Sequence, residues 1–293
     1  MIERFLEYIN VEKRYSANTV ASYRRDLADF SEFLLQSEAH INYTKVDKKA
    51  VRNFMAELGR SGLSKRTINR KLSSLRSFYG FMLRLGEISS SPLESVESLK
   101  FHAEKQIPFS PEEMSDLQLL ENKPRNATPL KELIVETLYQ TGMRRAELCA
   151  LKLDDVDFTK KELRVTGKGN KVRLIPVSDA LLQELENYLQ TRKPLEANEM
   201  HFFIGPRGKK LNDKFVYSAV NSYLSLVSTK KKKSPHILRH SFATHVLDNG
   251  AEISKVKKIL GHTSLASTQV YTSANIEQLK KVFNNAHPRA KKI

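Results

Sequence analysis

Four separated places in the chain hold side chains that a stable fold does not by itself require. Thr141-Gly142-Met143-Arg144-Arg145-Ala146-Glu147-Leu148 sets two arginines at a helix start. The helix dipole disfavours positive charge there, so something must compensate for it. Lys168 stands between Gly167 and Gly169, on a turn from which its ammonium reaches either a cleft or plain water. Ser234-Pro235-His236-Ile237-Leu238-Arg239-His240 opens a helix with a Ser cap and Pro in first position, so His236 and Arg239 share a face one turn apart. Leu260-Gly261-His262 closes another helix, and Tyr271 follows nine residues later. Guanidiniums, an ammonium, imidazoles and a phenol are a set suited to holding an oxyanion and moving protons. Two other readings fail on spacing. His236 and His240 lie at i, i+4 but lack the companion ligands of a zinc site. Gly167-Lys168-Gly169 lacks the spacing of a phosphate loop and leads to a strand, not a helix. Neither a metal nor a nucleotide cofactor is expected.

The elements that must carry these residues are mostly helical. Behind a Ser16 cap, Val20, Tyr23, Leu27, Phe30 and Leu34 recur at helical spacing on one stripe, and Val51, Phe54 and Leu58 repeat the pattern. After Gly62, Ile68, Leu72, Leu75 and Tyr79 form an apolar face, while Arg66, Arg70, Ser73 and Ser77 lie largely on another. That second face is either an ordinary solvated one or a surface for DNA phosphates, which take cations and small hydroxyl donors. Periodicity fades between Pro92 and Pro108, and Ser110-Pro111-Glu112-Glu113 restarts helix as a capping box. The expected division is therefore a helical domain over 1–98, a linker over 99–109 and a second domain over 110–293. In the second, residues 162–166 and 171–177 read as a hairpin across Gly167-Lys168-Gly169-Asn170, with helices around 130–141, 144–151, 179–192, 212–228, 235–249, 252–260 and 275–285.

Composition narrows the partners. Over 293 residues the net charge is +16, which suits a polyanion: nucleic acid first, an anionic membrane surface behind it, and a merely basic, soluble protein as the bland alternative. One cysteine, Cys149, allows neither an intrachain disulfide nor a thiolate metal cluster and fits a reducing compartment. The opening residues carry Glu3, Arg4, Glu7 and Glu12, unlike a signal peptide, and no apolar run is long enough to span a bilayer. A cytoplasmic protein without a membrane partner is expected.

The order of the motifs resembles one family closely. Arg144 in TGMRRAEL, Lys168 in GKGNKVR, His236 and Arg239 in HILRHSFATH, His262 in LGH and Tyr271 in STQVYT are similar to the six catalytic positions of the tyrosine recombinases. SANTVASYRRDLADFSEFL resembles the start of that family's core-binding domain, and His287-Pro288-Arg289-Ala290 the end of its Xer-type members. The resemblance implies a mainly α protein. It would join an N-terminal, SAM-like core-binding domain to a mostly helical catalytic domain with a small antiparallel sheet.

It also implies the chemistry. Two permanently charged guanidiniums, Arg144 and Arg239, would each grip a phosphate through paired hydrogen bonds. Tyr271 would be the nucleophile, His236 would receive its proton, Lys168 would protonate the leaving 5′-oxygen, and His262 would hydrogen-bond the phosphate. Neither metal nor ATP is needed, because the covalent phosphotyrosine conserves the bond energy. The implied partner is double-stranded DNA carrying a specific recombination site. The implied assembly is a homo- or hetero-tetramer joined through the stripe Ile276, Leu279 and Phe283 of the last helix, whose other reading is packing on its own domain. A septal DNA translocase is a further partner left open. Chromosome-dimer resolution leads over integration of a mobile element by the same chemistry. A type IB topoisomerase would share the catalytic residues, and a non-catalytic helical DNA-binding protein would explain the charge but not Tyr271 with Lys168 and two arginines.

Overall fold

The computed structural model describes residues 1–38, 41–102, 106–119, 128–261 and 273–289. The chain separates into two units, Met1–Glu104 and Lys105–Ile293. The first is built from α1 (Ile2–Val11), α2 (Ala17–Glu38), α3 (Lys48–Arg60) and α4 (Lys65–Arg84). Three of the four start where a side-chain oxygen accepts an otherwise unpaired N–H: Ser16 from Thr19 at 3.2 Å, Asp47 from Ala50 at 2.7 Å and Ser64 from Thr67 at 3.2 Å. The α2 stripe closes on the core through Leu27, Phe30 and Leu34, against Phe54, Leu72, Leu75 and Phe78 of the neighbouring helices. Asp26 is buried beside them, an expensive place for a lone carboxylate. Ser74 donates to it at 2.8 Å, Lys71 at 3.2 Å, and Arg70 also pairs with it.

The second unit begins with α5 (Pro111–Asp116), where Ser110 and Glu113 form the expected capping box. There follow α6 (Pro129–Thr141), α7 (Arg145–Ala150), β1 (Val156–Asp157), β2 (Glu162–Thr166), β3 (Val172–Pro176), α8 (Asp179–Thr191), α9 (Asp213–Val227), α10 (Pro235–Asp248), α11 (Ile253–Leu260) and α12 (Ser273–Ala286). Helix α6 is buried on every side from Leu133 to Thr141, so it is the element around which the domain is laid, with α9 and α10 against it. The sheet is antiparallel in the order β1-β2-β3, with Glu162 opposite Pro176 and Thr166 opposite Val172. Sequence reading finds the hairpin and misses β1, because two residues carry no periodicity. The hairpin turns through Lys168–Asn170, with Gly169 in the left-handed region at φ 74°.

Gly142, between α6 and α7, is required twice over. Its φ is 58°, and a Cβ there would stand 2.5 Å from Phe242 and 2.8 Å from Leu260. Only a residue without a side chain lets α10 and α11 approach this close.

In the free chain the last helix is packed on its own domain, the second of the two readings its stripe allows. Leu279 and Phe283, foreseen as a docking stripe for a neighbouring subunit, are 3% and 1% exposed within their own domain. Phe283 stacks on His287 at 5.0 Å between ring centres, and His287 lies against Phe242 and Tyr139. Beyond it Arg289 donates to Glu136 at 2.9 Å and to the Met114 carbonyl at 2.6 Å. These apolar rings find a complete partner surface in cis, which is the physical reason the helix lies there.

Candidate active site

The two arginines at the start of α7 are compensated in different ways. Arg144 is the N-cap: its backbone N–H donates to Glu147 Oε2 at 2.7 Å and its guanidinium to Glu147 Oε1 at 2.8 Å. Arg145 turns the other way and pairs with Asp213 of α9 at 2.7 Å. A side chain at the third helical position thus answers the dipole conflict, and the two neighbours are told apart by their partners. Arg144 keeps 41% of its side chain exposed, enough to meet a ligand while Glu147 holds its base.

Arg239, on α10, is nearly buried at 6% exposure. It donates to the Gly142 carbonyl at 2.7 Å and to the Leu260 carbonyl at 2.5 Å, which uses two of its five N–H groups. Burial, and next the charge of Arg144, push its pKa down to about 10, with Glu147 acting in the opposite direction. The guanidinium therefore remains charged at neutral pH. The bond to the Gly142 carbonyl brings Arg239 to within two residues of Arg144 along the chain, although 95 residues of sequence separate the two arginines.

His236 follows Pro235 in the first turn of α10 and is exposed, as is His240 one turn on. Lys168 begins the hairpin turn after β2, whose closure is fixed by the Gly167 N–H donating to the Lys171 carbonyl at 2.8 Å. His262 and Tyr271 lie outside the described residues. Helix α11, which precedes them, ends at Gly261 in the left-handed region at φ 68°.

On α4, Arg66 and Ser73 are exposed and Ser77 is half-buried. Arg70 is not a free cation: it donates to Ser22 at 2.6 Å and pairs with the buried Asp26. Sequence reading gave roles to neither Glu147 nor Arg173. The first was signalled by the unmet charge at the helix start. The second was signalled by strand parity, since Arg173 alternates in step with the buried Ile175. Among the described residues no cluster of His, Cys, Asp and Glu is arranged to hold a metal, and no helix is long and apolar enough to cross a membrane.

Known proteins resemble the chain along nearly its whole length. Residues 108–278 match the phage integrase family, and residues 2–86 match the phage integrase N-terminal SAM-like domain. The chain is 38% identical over 304 residues to tyrosine recombinase XerC of Pelotomaculum thermopropionicum, covering 99% of this chain and 98% of that one. It is 34% identical over 296 residues to tyrosine recombinase XerD of Staphylococcus saprophyticus, covering 99% of each. In fold it is similar to the XerH site-specific recombinase bound to a palindromic difH substrate, with a TM-score of 0.70 at 19% identity, covering 97% of this chain and 84% of that one. With both of its domains matched and Xer relatives aligned along nearly its whole length, the chain belongs to the phage integrase family of tyrosine recombinases.

Proposed function

We propose that the protein is a site-specific DNA recombinase that cuts and rejoins strands through a 3′-phosphotyrosine link to Tyr271, and that as a Xer-type member it resolves chromosome dimers at a specific site. The observation that carries the reading is that Arg239, held by the Gly142 and Leu260 carbonyls, is fastened to the junction of α6 and α7 where the half-exposed Arg144 also stands. Two fixed guanidiniums match the non-bridging oxygens of a phosphodiester and offset the charge that builds on them during displacement. In the proposed step the Tyr271 oxygen bonds to phosphorus as the bond to the 5′-oxygen breaks. His236 takes the phenolic proton, Lys168 gives one to the departing 5′-oxygen, and His262 bonds the phosphate. A 5′-hydroxyl from another strand reverses the exchange, with neither ATP nor a metal ion consumed.

Residues 1–98 and 110–293 act, in this reading, as two DNA-binding domains joined by the 99–109 linker, with Arg66, Arg70, Ser73 and Ser77 on the DNA side of α4 and four subunits on two duplexes. The excess of positive charge supports the DNA partner. A contact between subunits through α12 requires that helix to leave its own domain, where Leu279 and Phe283 are buried. The test is Tyr271→Phe on a labelled, nicked duplex carrying a site selected by the unsubstituted protein from random sequence. The variant should bind as its parent does and form no covalent complex on a denaturing gel. Covalent trapping by Tyr271→Phe would show that another of the 10 tyrosines is the nucleophile.

A further inference from the structure

Arg173 is 4% exposed on β3, facing inward opposite Val165, and all of its bonding lies within the second unit. Its Nη1 and Nη2 donate to the two oxygens of Glu147 at 3.0 and 2.7 Å, and its Nε donates to the Ile259 carbonyl at 2.6 Å. The same Glu147 holds Arg144, and the next carbonyl along, Leu260, is held by Arg239. Two guanidiniums therefore cap the C-terminal end of α11, where orphan carbonyls and the dipole favour cations. The backbone has made room for this. A Cβ at Gly261 would stand 3.3 Å from the Arg173 side chain, and one at Gly167 would stand 3.4 Å from both Arg173 Nη1 and Glu147 Oε1.

We propose that Arg173 is a positioning residue for the reaction: through Glu147 it fixes the direction of Arg144, and through Ile259 it fixes the end of α11 from which the chain runs on to His262 and Tyr271. The inference rests on the recombinase reading above. It assigns Arg173 no contact with DNA, since the side chain is buried and three of its five N–H groups are held by protein. Lysine cannot replace it, because one ammonium on a flexible stem cannot hold both carboxylate oxygens and a carbonyl in a fixed plane.

The experiment is single-turnover formation of the covalent complex on the selected nicked duplex, with Arg173→Lys and Arg173→Met in the full chain. Misdirection of a phosphate-binding group costs up to about a hundredfold, so the rate constant should fall about tenfold in Arg173→Lys and about a hundredfold in Arg173→Met. The final amplitude and the duplex Kd should stay within about threefold of the parent, since reacting-group geometry and not the cationic surface is changed. A folding defect would instead lower the amplitude and leave the rate constant of the surviving molecules intact. That result overturns the proposal, as does a rate constant for Arg173→Lys within threefold of the parent. If Arg173→Met does not fold, Arg173→Lys, which keeps the charge beside Glu147, decides alone. Failure of the unsubstituted chain to form any covalent complex would refute the recombinase reading itself, and the inference with it.

Discussion

Glu147→Gln removes one charge from a carboxylate that binds Arg173 twice, Arg144 once and the Arg144 backbone N–H once. Both Glu147 and Arg173 are buried, so the amide leaves a desolvated guanidinium without its counter-charge and presents its own NH2 to other donors. Breaking a buried pair by removing one partner costs about 3–5 kcal/mol. At about 2–4 °C per kcal/mol for a domain of this size, the second unit should melt roughly 10 °C lower at pH 7. The pH dependence has a definite sign. Burial alone would raise the Glu147 carboxyl, but hydrogen bonds and charge from Arg173, and then the bonds from Arg144, bring it below its ordinary value. Stabilisation by a depressed carboxyl is complete above the unfolded pKa and is lost as pH falls through the folded one. The parent should therefore lose stability on acidification while Glu147→Gln does not lose this share, and the gap between their melting temperatures should close. Circular-dichroism melts at pH 7 and at the lowest pH where the parent still melts cooperatively would measure it. A gap worth less than about 1 kcal/mol at pH 7, or one that does not narrow in acid, would refute the reasoning.

Lys168→Ala should slow cleavage of ordinary DNA far more than cleavage of a duplex whose 5′-bridging oxygen is sulfur, because a thiolate leaves without a proton; equal losses on both substrates would leave Lys168 no role as an acid. Removing residues from Asn275 onward strips Leu279 and Phe283 from the core at about 2 kcal/mol each, so differential scanning calorimetry should show a lower melting temperature for the free chain. An unchanged melting temperature would mean that the burial of Leu279 and Phe283 contributes nothing in the monomer.

What the sequence discloses depends on whether a residue's partner lies near it along the chain. Ser110 and Glu113 cap a helix three residues apart, and the Gly167–Asn170 link joins adjacent strands, so both are legible from spacing. The pairing of Arg144 with Glu147 is equally local, and the conflict at the helix start points to it. Arg239 gives no such clue, because its acceptors are the carbonyls of Gly142 and Leu260, and a carbonyl belongs to every residue type. The seat of α12 is hidden for a related reason: an apolar stripe states that it must be covered and not by which copy of the chain. Asp26 under α4 lies between these cases, since its place on the inner side of α2 is implied by the stripe while Lys71 and Ser74 are more than forty residues away.

The use of carbonyls as partners also decides the charge of the site. Arg144 and Arg173 both act on Arg239 through their charge, and Glu147 opposes them. Had each guanidinium been given its own carboxylate, the cluster would be neutral and a phosphate would have to compete with three ion pairs. Holding Arg239 by neutral dipoles orients it at the cost of mutual repulsion and burial, and both show in its lowered pKa. Among these groups three guanidiniums share the carboxylate of Glu147, and at the buried Arg239 Coulomb attraction to an anion is little screened. An anion that reached Arg144 and Arg239 would relieve that repulsion, and under the proposed function that anion is the scissile phosphate. On that reasoning Arg239, which burial and neighbouring charge disfavour in the free chain, should gain most from such a ligand.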